Sequence, residues 1–478
     1  MRVGYSGDQV RAAEGLLMRT LPHGTLMQRA AAGLAATCAE LLGRVYGARV
    51  VLLVGSGDNG GDALFAGARL ARRGARVSAV LAGSRAHEEG LAAFRAAGGR
   101  TADPTELDQA DLVVDGLVGI GATGPLREPY ASLAAMTGDA LVVAVDVPSG
   151  VDAATGRVDG TAVKADVTVT MGTPKAGLFI DPAAAYTGTL VLVDIGLAPY
   201  LPEPEVTVLA DADVRELLPR PGAESDKYRR GVVGIAAGSD AYTGAAVLAV
   251  GGALRAGAGM VRYAGTAAPV AQVRAAWPEA VITELSQPSI EDVGRVQAWM
   301  LGPGLGTGAF ARDLVAAVLA GDAPVVVDAD ALTVVAQDPG LLRREAPVVI
   351  TPHAGELSRL VGVPRQDIEA ARLDHVRQAA TELGVTVLLK GSTTLVAREG
   401  APTRVNPTGT SWLAAAGTGD VLSGVTGALL AQGLDCYDAA SCAAYLHGRA
   451  GTLAADGAPL VSAEVATAIP GAIRSLSR

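Results

Sequence analysis

A Gly-Thr-Gly-Asp segment, residues 417–420, carries residue types suited to phosphoryl transfer, and the apolar run 421–430 follows it. Glycines in front of a helix leave backbone N–H groups uncovered and let a ligand approach closely. The positive end of the helix dipole favours an anion such as a phosphate and would keep Asp420 ionised. The segment therefore predicts an anion site with an adjacent general base. The alternative is a plain turn in which Asp420 only caps the helix.

A second glycine-rich segment, GSGDNGGD at residues 55–62, follows the apolar run Val50–Val54. It matches the G-x-G-x-x-G pattern of dinucleotide-binding loops. The next apolar run, Val77–Leu81, is followed by Ala-Gly-Ser-Arg and so lacks the carboxylate that would hold a ribose. The carboxylate and amide oxygens of residues 58–62 instead predict a tight loop that holds a cation and an anionic ligand side by side.

Two further polar segments, DGLVGIGATGP at residues 115–125 and DVPSGVD at residues 146–152, each follow an apolar run. Open α/β sheets bind ligands at the carboxyl ends of their strands. A single Asp at such a position is more often a helix cap or a turn residue, but three such loops in order on one sheet predict a ligand site. Lys175 stays open between a catalytic cation and an ordinary surface lysine.

The elements that must position these segments alternate between strands and helices, which predicts an α/β fold in both halves of the chain. A helix pair is predicted from Ser6 to Leu42, and a linker in the proline-containing stretch 199–225. Strands are predicted in the first half at Val50–Val54, Val77–Leu81, Leu112–Asp115, Leu141–Asp146, Val167–Met171 and Thr189–Val193. Strands are predicted in the second half at Gly231–Ala236, Ala298–Leu301, Val325–Asp328, Val348–Thr351 and Val385–Leu389.

Composition limits the class of protein. The chain has 478 residues, which favours two domains, and its hydrophobic fraction of 50% comes mainly from small aliphatic residues. A net charge of −10 without a basic run argues against nucleic acid and anionic membranes as partners. The longest uncharged apolar run, 241–254, is too short to span a bilayer, and no signal peptide is recognisable. Cys38, Cys436 and Cys442 form no C-x-x-C pair, so we expect reduced thiols and a cytoplasmic protein.

Residues 213–478 resemble the ribokinase-like family and, within it, the ADP-dependent NAD(P)H-hydrate dehydratases. The motifs that carry the resemblance are, in chain order, residues 227–239, GAA at 244–246, RAGAG at 255–259, GPGLG at 302–306, TPHAGE at 351–356, KGSTT at 390–394 and GTGD at 417–420. One departure is TSWL at residues 410–413, where the family more often has Asn-Pro-Gly-Met.

This resemblance implies the roles of individual residues in the second half. Asp420 is the implied catalytic base and also contacts the substrate, and Mg²⁺ is the implied metal ion. The implied contacts to the hydrated nicotinamide are Ala246, Gly306 and His353. The implied contacts to the ADP phosphates and to AMP are Lys390, Gly391, Ser392, Thr393, Thr394 and Gly419. The remaining histidines, His23, His87, His375 and His447, are predicted to be structural.

Residues 1–212 resemble the NAD(P)H-hydrate epimerases, which have a Rossmann-like fold. Besides the three loops, the shared motifs are QVRAAE at 9–14, KAD at 164–166 and PKAGL at 174–178. The resemblance implies that a potassium ion binds Asn59, Asp115 and Ser149, and that Asp146 is catalytic. The implied contacts to the hydrated dinucleotide are Asp58, Asn59, Gly60, Gly61, Asp62, Gly119, Ile120, Gly121, Ala122, Thr123, Gly124, Pro125 and Asp146. Asp58 replaces the usual Asn, which would either tighten cation binding or repel the substrate phosphate.

Together, the two resemblances predict a bifunctional repair enzyme for nicotinamide nucleotides. The first domain would interconvert the R and S forms of NAD(P)H hydrate, and the second would use ADP to return the S form to NAD(P)H, with AMP and phosphate as products. The expected partners are these hydrates, ADP and further copies of the chain. The alternative is a vitamin-type kinase acting on a small hydroxyl compound, with an N-terminal half that binds without catalysis.

Overall fold

The computed structural model describes residues 1–137 and 140–476. The chain divides into two compact units, Val3–Val206 and Thr207–Arg478, with Met1–Arg2 assigned to the second. The predicted domain boundary at residues 212 and 213 stays a prediction. Each unit contains its own sheet and hydrophobic core.

The N-terminal half of the chain alternates between strands and helices. Its strands are β1 (Arg2–Gly4), β2 (Arg49–Val54), β3 (Arg76–Leu81), β4 (Arg100–Thr101), β5 (Leu112–Gly116), β6 (Leu141–Val145), β7 (Val167–Met171) and β8 (Thr189–Val193). Its helices are α1 (Gly7–Met18), α2 (Thr25–Leu42), α3 (Asp58–Arg72), α4 (Glu88–Ala96), α5 (Tyr130–Ala135) and α6 (Ala184–Thr187).

The N-terminal sheet is a parallel, doubly wound sheet with the order β4-β3-β2-β5-β6-β7-β8. Chain order reverses between β2 and β5, which is the point where such sheets open a crevice for a ligand. Alternate residues of β2 enter different core clusters: Val50 and Leu52 belong to one, Val51 and Leu53 to another. Both faces of the sheet are therefore covered, as the Val- and Leu-rich sequence predicts.

The C-terminal half continues the alternation. Its strands are β9 (Val206–Val208), β10 (Val232–Ala236), β11 (Met260–Gly265), β12 (Val281–Glu284), β13 (Ala298–Leu301), β14 (Val325–Val327), β15 (Val348–Ile350), β16 (Thr386–Leu389), β17 (Thr394–Ala397) and β18 (Thr403–Asn406). Its helices are α7 (Asp211–Leu217), α8 (Thr243–Arg255), α9 (Ala267–Ala276), α10 (Ala309–Leu319), α11 (Asp330–Gln337), α12 (Ala354–Val361), α13 (Arg365–Ala370), α14 (Arg372–Leu383), α15 (Thr418–Ala431), α16 (Cys436–Ala455) and α17 (Ser462–Ser475).

The strands of the C-terminal sheet that frame the candidate site follow the order β18-β17-β16-β15-β14-β13-β10-β11-β12. Strands β10 to β16 pair in parallel, whereas β16, β17 and β18 are antiparallel to one another. Helix α15 is buried along almost its whole length, because Val421, Val425 and Ala428 belong to the main core cluster of this unit. Its amino-terminal turn is thereby held at a fixed place relative to the sheet.

The α/β prediction is confirmed in both halves, and each predicted strand is present with ends shifted by at most one residue. Strands β1, β4, β9, β11, β12, β17 and β18 were not predicted; Arg262 and Arg404 interrupt the apolar runs of β11 and β18. The described part of the chain contains no helix with the length and apolar character needed to cross a membrane. All three cysteines are buried and unbridged.

Candidate active sites

The predicted cation ligands of the N-terminal unit lie together. Asp115 is the fourth residue of β5 and is fully buried, and its carboxylate accepts hydrogen bonds from Ser149 Oγ at 2.7 Å and from the Ser149 backbone N–H at 2.8 Å. The Ser149 hydroxyl in turn accepts from Val118 N at 3.1 Å. Asn59 Nδ2 donates to Val118 O at 2.9 Å and to Val145 O at 2.6 Å. Side chains from helix α3, strand β5 and the loop after β6 therefore converge on one point between β5 and β6.

Close backbone approach explains two glycines of this site. A Cβ on Gly55 would lie 1.8 Å from Leu117 O, so the loop after β2 can pass the loop after β5 only without a side chain. A Cβ on Gly119 would lie 2.6 Å from Asn59 Oδ1, so a larger residue would displace the amide. Burial raises the pKa of Asp115, and the hydrogen bonds from Ser149 and Leu117 N counteract this increase.

One local prediction was wrong. Residues 58–62 do not form a tight loop but the first turns of α3, which begins at Asp58 after the N-cap Gly57. Gly57, Asp58 and Asn59 at the amino terminus of this helix line the cavity described below, and the positive end of a helix dipole favours an anion. Gly60 and Gly61 are buried inside the helix packing rather than exposed to a ligand.

A cavity of about 700 Å³ opens beside these residues. The predicted contact residues that line it are Asp58, Asn59, Asp62, Gly119, Ile120, Gly121, Ala122 and Asp146. Those that lie outside its wall are Gly60, Gly61, Thr123, Gly124 and Pro125, of which the last three are exposed. The cavity has the size of a typical cofactor site.

Asp146 follows β6 with a left-handed backbone, φ 68°, which Asp tolerates better than most residues. Its carboxylate accepts hydrogen bonds from Met171 N at 2.9 Å and from the ammonium of Lys175. Lys175 is 1% exposed and also donates to Met171 O at 3.0 Å. The sequence left Lys175 undecided, and the structure places it inside the protein as the partner of Asp146.

Two further carboxylates make this cavity acidic. Asp62 is buried, and its Oδ1 has no hydrogen-bond partner within the described residues. Burial and then the charges of Asp146, Asp58 and Glu14 raise the pKa of Asp62 well above its usual range. Burial raises the pKa of Glu14 as well, while the nearby Lys175 opposes that increase. Glu14 was not predicted as a site residue, although it belongs to the QVRAAE motif.

The C-terminal site lies at the carboxyl ends of three adjacent parallel strands. Asp328 follows β14, His353 follows β15 and Lys390 follows β16. His353 and Lys390 form an isolated parallel bridge, and the Lys390 backbone N–H donates to Pro352 O at 2.8 Å. Strand pairing thus joins the TPHAGE and KGSTT segments at one edge of the sheet.

Helix α15 brings the GTGD segment to the same edge. Gly417 is its N-cap with φ 87°, and Asp420 lies in its first turn, as predicted. A Cβ on Gly419 would lie 3.7 Å from Lys390 Nζ, so the ammonium group lies directly beside the helix terminus. An amino-terminal helix turn and a lysine at this distance form a site that attracts phosphate groups.

The surroundings of Asp420 raise its pKa, whereas the helix dipole alone was expected to keep the carboxyl group ionised. Burial raises the pKa of Asp420 to about 7, and the charges of Asp328 and Asp330 act in the same direction while Lys390 opposes them. A carboxylate with such a pKa is close to the value at which a general base works best near neutral pH. Burial lowers the pKa of Lys390, but Asp328 and Glu356 outweigh burial and raise it overall, so the lysine stays charged.

A cavity of about 770 Å³ adjoins Lys390 and Gly419. The predicted nucleotide contacts that line it are Lys390, Gly391, Ser392, Thr394 and Gly419, whereas Thr393 is buried behind them. The departing segment TSWL also reaches it, through Thr410, Ser411 and Leu413. His353 lines the cavity with its side chain 54% exposed.

Three predicted substrate contacts, Ala246, Gly306 and Asp420, are not among the residues that line this cavity. Ala246 is fully buried, and its Cβ lies 3.0 Å from where a Cβ on Gly238 would be. Gly306 has φ 75°, and its N–H donates to Asp330 Oδ2 at 2.8 Å. The roles of all three residues stay predictions.

Two residues of the C-terminal site were not predicted from the sequence. Asp328 is 1% exposed and bonds Lys390, and the rule that ligands gather at strand ends could have identified it. His447 lines the cavity from α16, and its Nε2 lies 2.9 Å from Thr418 O. Because a carbonyl only accepts, Nε2 carries the proton. Burial lowers the pKa of His447 to about 4, so the ring is neutral at pH 7. Its helical position offers no sequence signal.

Both halves of the chain are similar to known protein families. A family model for NAD(P)H-hydrate dehydratase matches residues 233–470, and a model described as YjeF-related protein N-terminus matches residues 23–177. The chain is 50% identical over 449 residues to the bifunctional NAD(P)H-hydrate repair enzyme Nnr of Mycobacterium tuberculosis (strain H37Rv), covering 92% of each chain.

Solved structures are similar to the C-terminal half. The ADP/ATP-dependent NAD(P)H-hydrate dehydratase of Bacillus subtilis, co-crystallised with ATP and Mg²⁺, is 32% identical with a TM-score of 0.51, covering 56% of this chain and 97% of that one. A ribokinase-like superfamily protein of Enterococcus faecalis is 25% identical with a TM-score of 0.52, covering 58% and 98%. These matches confirm the ribokinase-like fold that the sequence predicts for this half.

Proposed function

Because the chain belongs to the family of bifunctional NAD(P)H-hydrate repair enzymes, we propose that its two sites catalyse successive steps of that repair. The N-terminal site interconverts the R and S forms of hydrated NADH or NADPH, and the C-terminal site dehydrates the S form. The alternative, a vitamin-type kinase with a non-catalytic N-terminal module, is disfavoured because the similarity to repair enzymes extends over both halves.

The epimerisation requires that the C6 hydroxyl group leave and return on the other face of the ring. The lone pair of the ring nitrogen expels the hydroxyl group, a proton converts it to water, and water then adds to the resulting iminium carbon from either side. In our proposal Asp146 supplies and recovers this proton, since its carboxyl group lines the cavity and is held in place by the buried Lys175.

The clustered oxygens of Asp115 and Ser149 fit a potassium ion, because they are hard ligands without nitrogen or sulfur. The carbonyl oxygens of Val118 and Val145 lie beside the same point, facing the Asn59 amide. Rotation of that amide by half a turn would present its oxygen there instead. We therefore propose that potassium binds to Asn59, Asp115 and Ser149, where it would offset the carboxylate charge close to the dinucleotide.

Dehydration proceeds through phosphoryl transfer. The C6 hydroxyl oxygen of the S form attacks the terminal phosphorus of ADP, Asp420 accepts the hydroxyl proton, and AMP leaves as the P–O bond breaks. The C6–O bond of the phosphate ester then breaks, phosphate leaves, and loss of a C5 proton restores the ring double bond. In our proposal Lys390 and the N–H groups of residues 417–419 stabilise the charge of the transferring phosphoryl group.

Magnesium belongs to the nucleotide in this proposal. The described residues contain no group of three or more His, Cys, Asp or Glu side chains arranged as a metal site. Mg²⁺ typically keeps several waters and binds through substrate phosphates rather than through an all-protein cage. We therefore expect it to enter as the Mg–ADP complex and to neutralise phosphate charge during the transfer.

The observation that carries the dehydratase proposal is the position of Asp420 in the first turn of α15, next to Gly419, which lines the cavity beside Lys390. The test supplies purified R or S hydrate to the full chain with Mg²⁺ and either ADP or ATP, and follows the absorbance of the reduced nicotinamide. We expect ADP to support repair of the S form. The amount of AMP formed should equal the amount of S hydrate repaired. A stable phosphorylated product would instead support the kinase alternative.

The expected homo-oligomer is tested separately by light scattering. A molar mass equal to that of one chain would contradict it.

A further inference from the structure

Asp328 connects two parts of the C-terminal site that are far apart in sequence. It follows β14, is 1% exposed, and accepts a hydrogen bond at each carboxylate oxygen. Oδ1 accepts from Lys390 Nζ at 2.8 Å, and Oδ2 accepts from Ser423 Oγ at 2.6 Å. The carboxylate is therefore a buried bridge between the lysine after β16 and helix α15.

Ser423 transmits this contact to the helix terminus. It is fully buried, lies one turn after Asp420, and its Oγ is also 3.1 Å from Gly419 O. The hydroxyl has one proton, which the charged Asp328 oxygen attracts more strongly than a neutral carbonyl does. The bridge thus fixes the rotation of the first turn of α15, on which both Gly419 and Asp420 lie.

The backbone next to Asp328 is strained. Ala329 has φ 50° and ψ −119°, a region that non-glycine residues rarely adopt. Ala329 lies between two aspartates whose carboxylates have different partners. Asp328 accepts hydrogen bonds from Lys390 and Ser423. Asp330 accepts a hydrogen bond from Gly306 N at 2.8 Å. Such strain persists where the surrounding contacts determine the conformation, and it concentrates at functional sites.

We propose that Asp328 is a positioning residue that holds Lys390 and the first turn of α15 in one geometry, so that the phosphate donor meets the proton acceptor Asp420. This inference rests on the proposed phosphoryl transfer. Asp328 is buried and both its oxygens are bonded within the protein, so it acts through Lys390 and Ser423 rather than on the substrate.

The same carboxylate influences the proton affinity of Asp420. After burial, the charge of Asp328 is the next cause that raises the pKa of Asp420 to about 7; Asp330 adds to it and Lys390 opposes it. From α16, His447 is neutral at this pH because burial lowers its pKa to about 4. Removing the charge of Asp328 while Lys390 remains must therefore lower the pKa of Asp420.

The test compares Asp328→Asn with Ser423→Ala in the full chain, using the S hydrate and Mg–ADP. Asp328→Asn keeps the shape but removes the charge; we expect KM for ADP to rise about tenfold. The acidic limb of kcat/KM should also move down by about one pH unit. Ser423→Ala removes only the hydrogen bond between Asp328 and α15. We therefore expect kcat to fall about tenfold, while KM for ADP and the acidic limb of kcat/KM stay unchanged. A change in folding alone would not move the acidic limb.

Several outcomes would overturn the inference. One is an Asp328→Asn variant with an unchanged KM and an unchanged acidic limb. Tryptophan fluorescence checks the fold, because Trp277, Trp299 and Trp412 all belong to the C-terminal unit. If Asp328→Asn does not fold, Ser423→Ala decides alone, and an unchanged kcat contradicts the inference. Failure of the unaltered chain to repair the S hydrate would contradict the proposed function instead.

Discussion

Lys175 and Asp146 form a buried ion pair in the N-terminal unit, in which the ammonium group donates to Asp146 Oδ1 and to Met171 O at 3.0 Å. The pair joins the residue after β6 to the segment that follows β7. Thr170 Oγ1 lies 3.2 Å from Lys175 Nζ, so the ammonium group is surrounded by oxygen atoms. A buried lysine with this environment is a component of the site rather than a surface charge.

Removal of Lys175 alone should destabilise the N-terminal unit. Lys175→Met leaves the Asp146 carboxylate buried without its cation, which costs about 3–5 kcal/mol of unfolding free energy. The double variant with Asp146→Asn should recover most of this loss, because no uncompensated charge remains. Urea unfolding followed by far-UV circular dichroism measures the effect, and tryptophan fluorescence identifies the C-terminal transition, since the chain has three Trp residues and all are in that unit. Equal losses in both variants would argue against the ion pair as the cause.

Asp146→Asn and Asp420→Asn should affect the two activities separately. Asp420→Asn is expected to lower ADP-dependent repair of the S hydrate by about 10² to 10⁴, the range for loss of a general base. Asp146→Asn should leave repair of the S hydrate intact. The R hydrate should then disappear only at the rate at which it converts spontaneously to the S form. Each variant is the control for the other, and normal repair of S by the Asp420 variant would contradict its role.

The raised pKa of Asp420 predicts how activity and stability depend on pH. Because the ionised form accepts the proton, repair should increase as pH rises through about 7. Stability changes in the opposite direction, since a carboxyl group with a raised pKa in the folded state binds fewer protons when unfolded. Above pH 7 we expect Asp420→Asn to be more stable than the unaltered chain by up to about 4 kcal/mol. The difference should vanish below pH 4, and tryptophan-detected urea unfolding at pH 4 and 8 measures it.

Epimerisation should depend on a monovalent cation. Asp115→Ala removes the charged member of the oxygen cluster formed with Ser149, so we expect weaker substrate binding and no response to potassium. Titration of R-hydrate consumption with potassium chloride against choline chloride measures the response. Asp159→Ala is the matched control, because its carboxylate pairs with Arg157 at the surface. A potassium response in the Asp115 variant equal to that of the control would exclude this site.

His447 should matter through one hydrogen bond. Its protonated Nε2 donates to Thr418 O at 2.9 Å and so ties α16 to the start of α15. Loss of a buried hydrogen bond costs about 1–3 kcal/mol, which predicts roughly 5- to 100-fold weaker repair for His447→Leu. His447→Gln places an amide N–H near the same position and should retain most of the activity. Because the ring is neutral above pH 4, neither change should shift the acidic limb of the pH profile, in contrast to Asp328→Asn.

The sequence by itself determined the α/β class, six strands of the N-terminal sheet, five strands of the C-terminal sheet and the segments that carry chemistry. These are local properties: runs of Val and Leu form strands, and the glycine-rich segments mark the turns after them. The GTGD segment could be placed at the start of a helix because the apolar run after it is continuous. Asp115, Asp146 and Lys390 could be assigned to strand ends for the same reason.

Only the tertiary structure decided which of these groups meet and in what charge state. Parallel pairing of β14, β15 and β16 brings Asp328 to Lys390 across a long stretch of sequence, and no local pattern encodes that distance. The pKa of Asp420 is raised because burial and the charges of Asp328 and Asp330 outweigh the charge of Lys390, and only the packing of the unit sets these surroundings. The role of Lys175 was likewise open in the sequence, and the structure shows that Lys175 is buried and paired with Asp146. Burial and pairing depend on the packing of the whole unit.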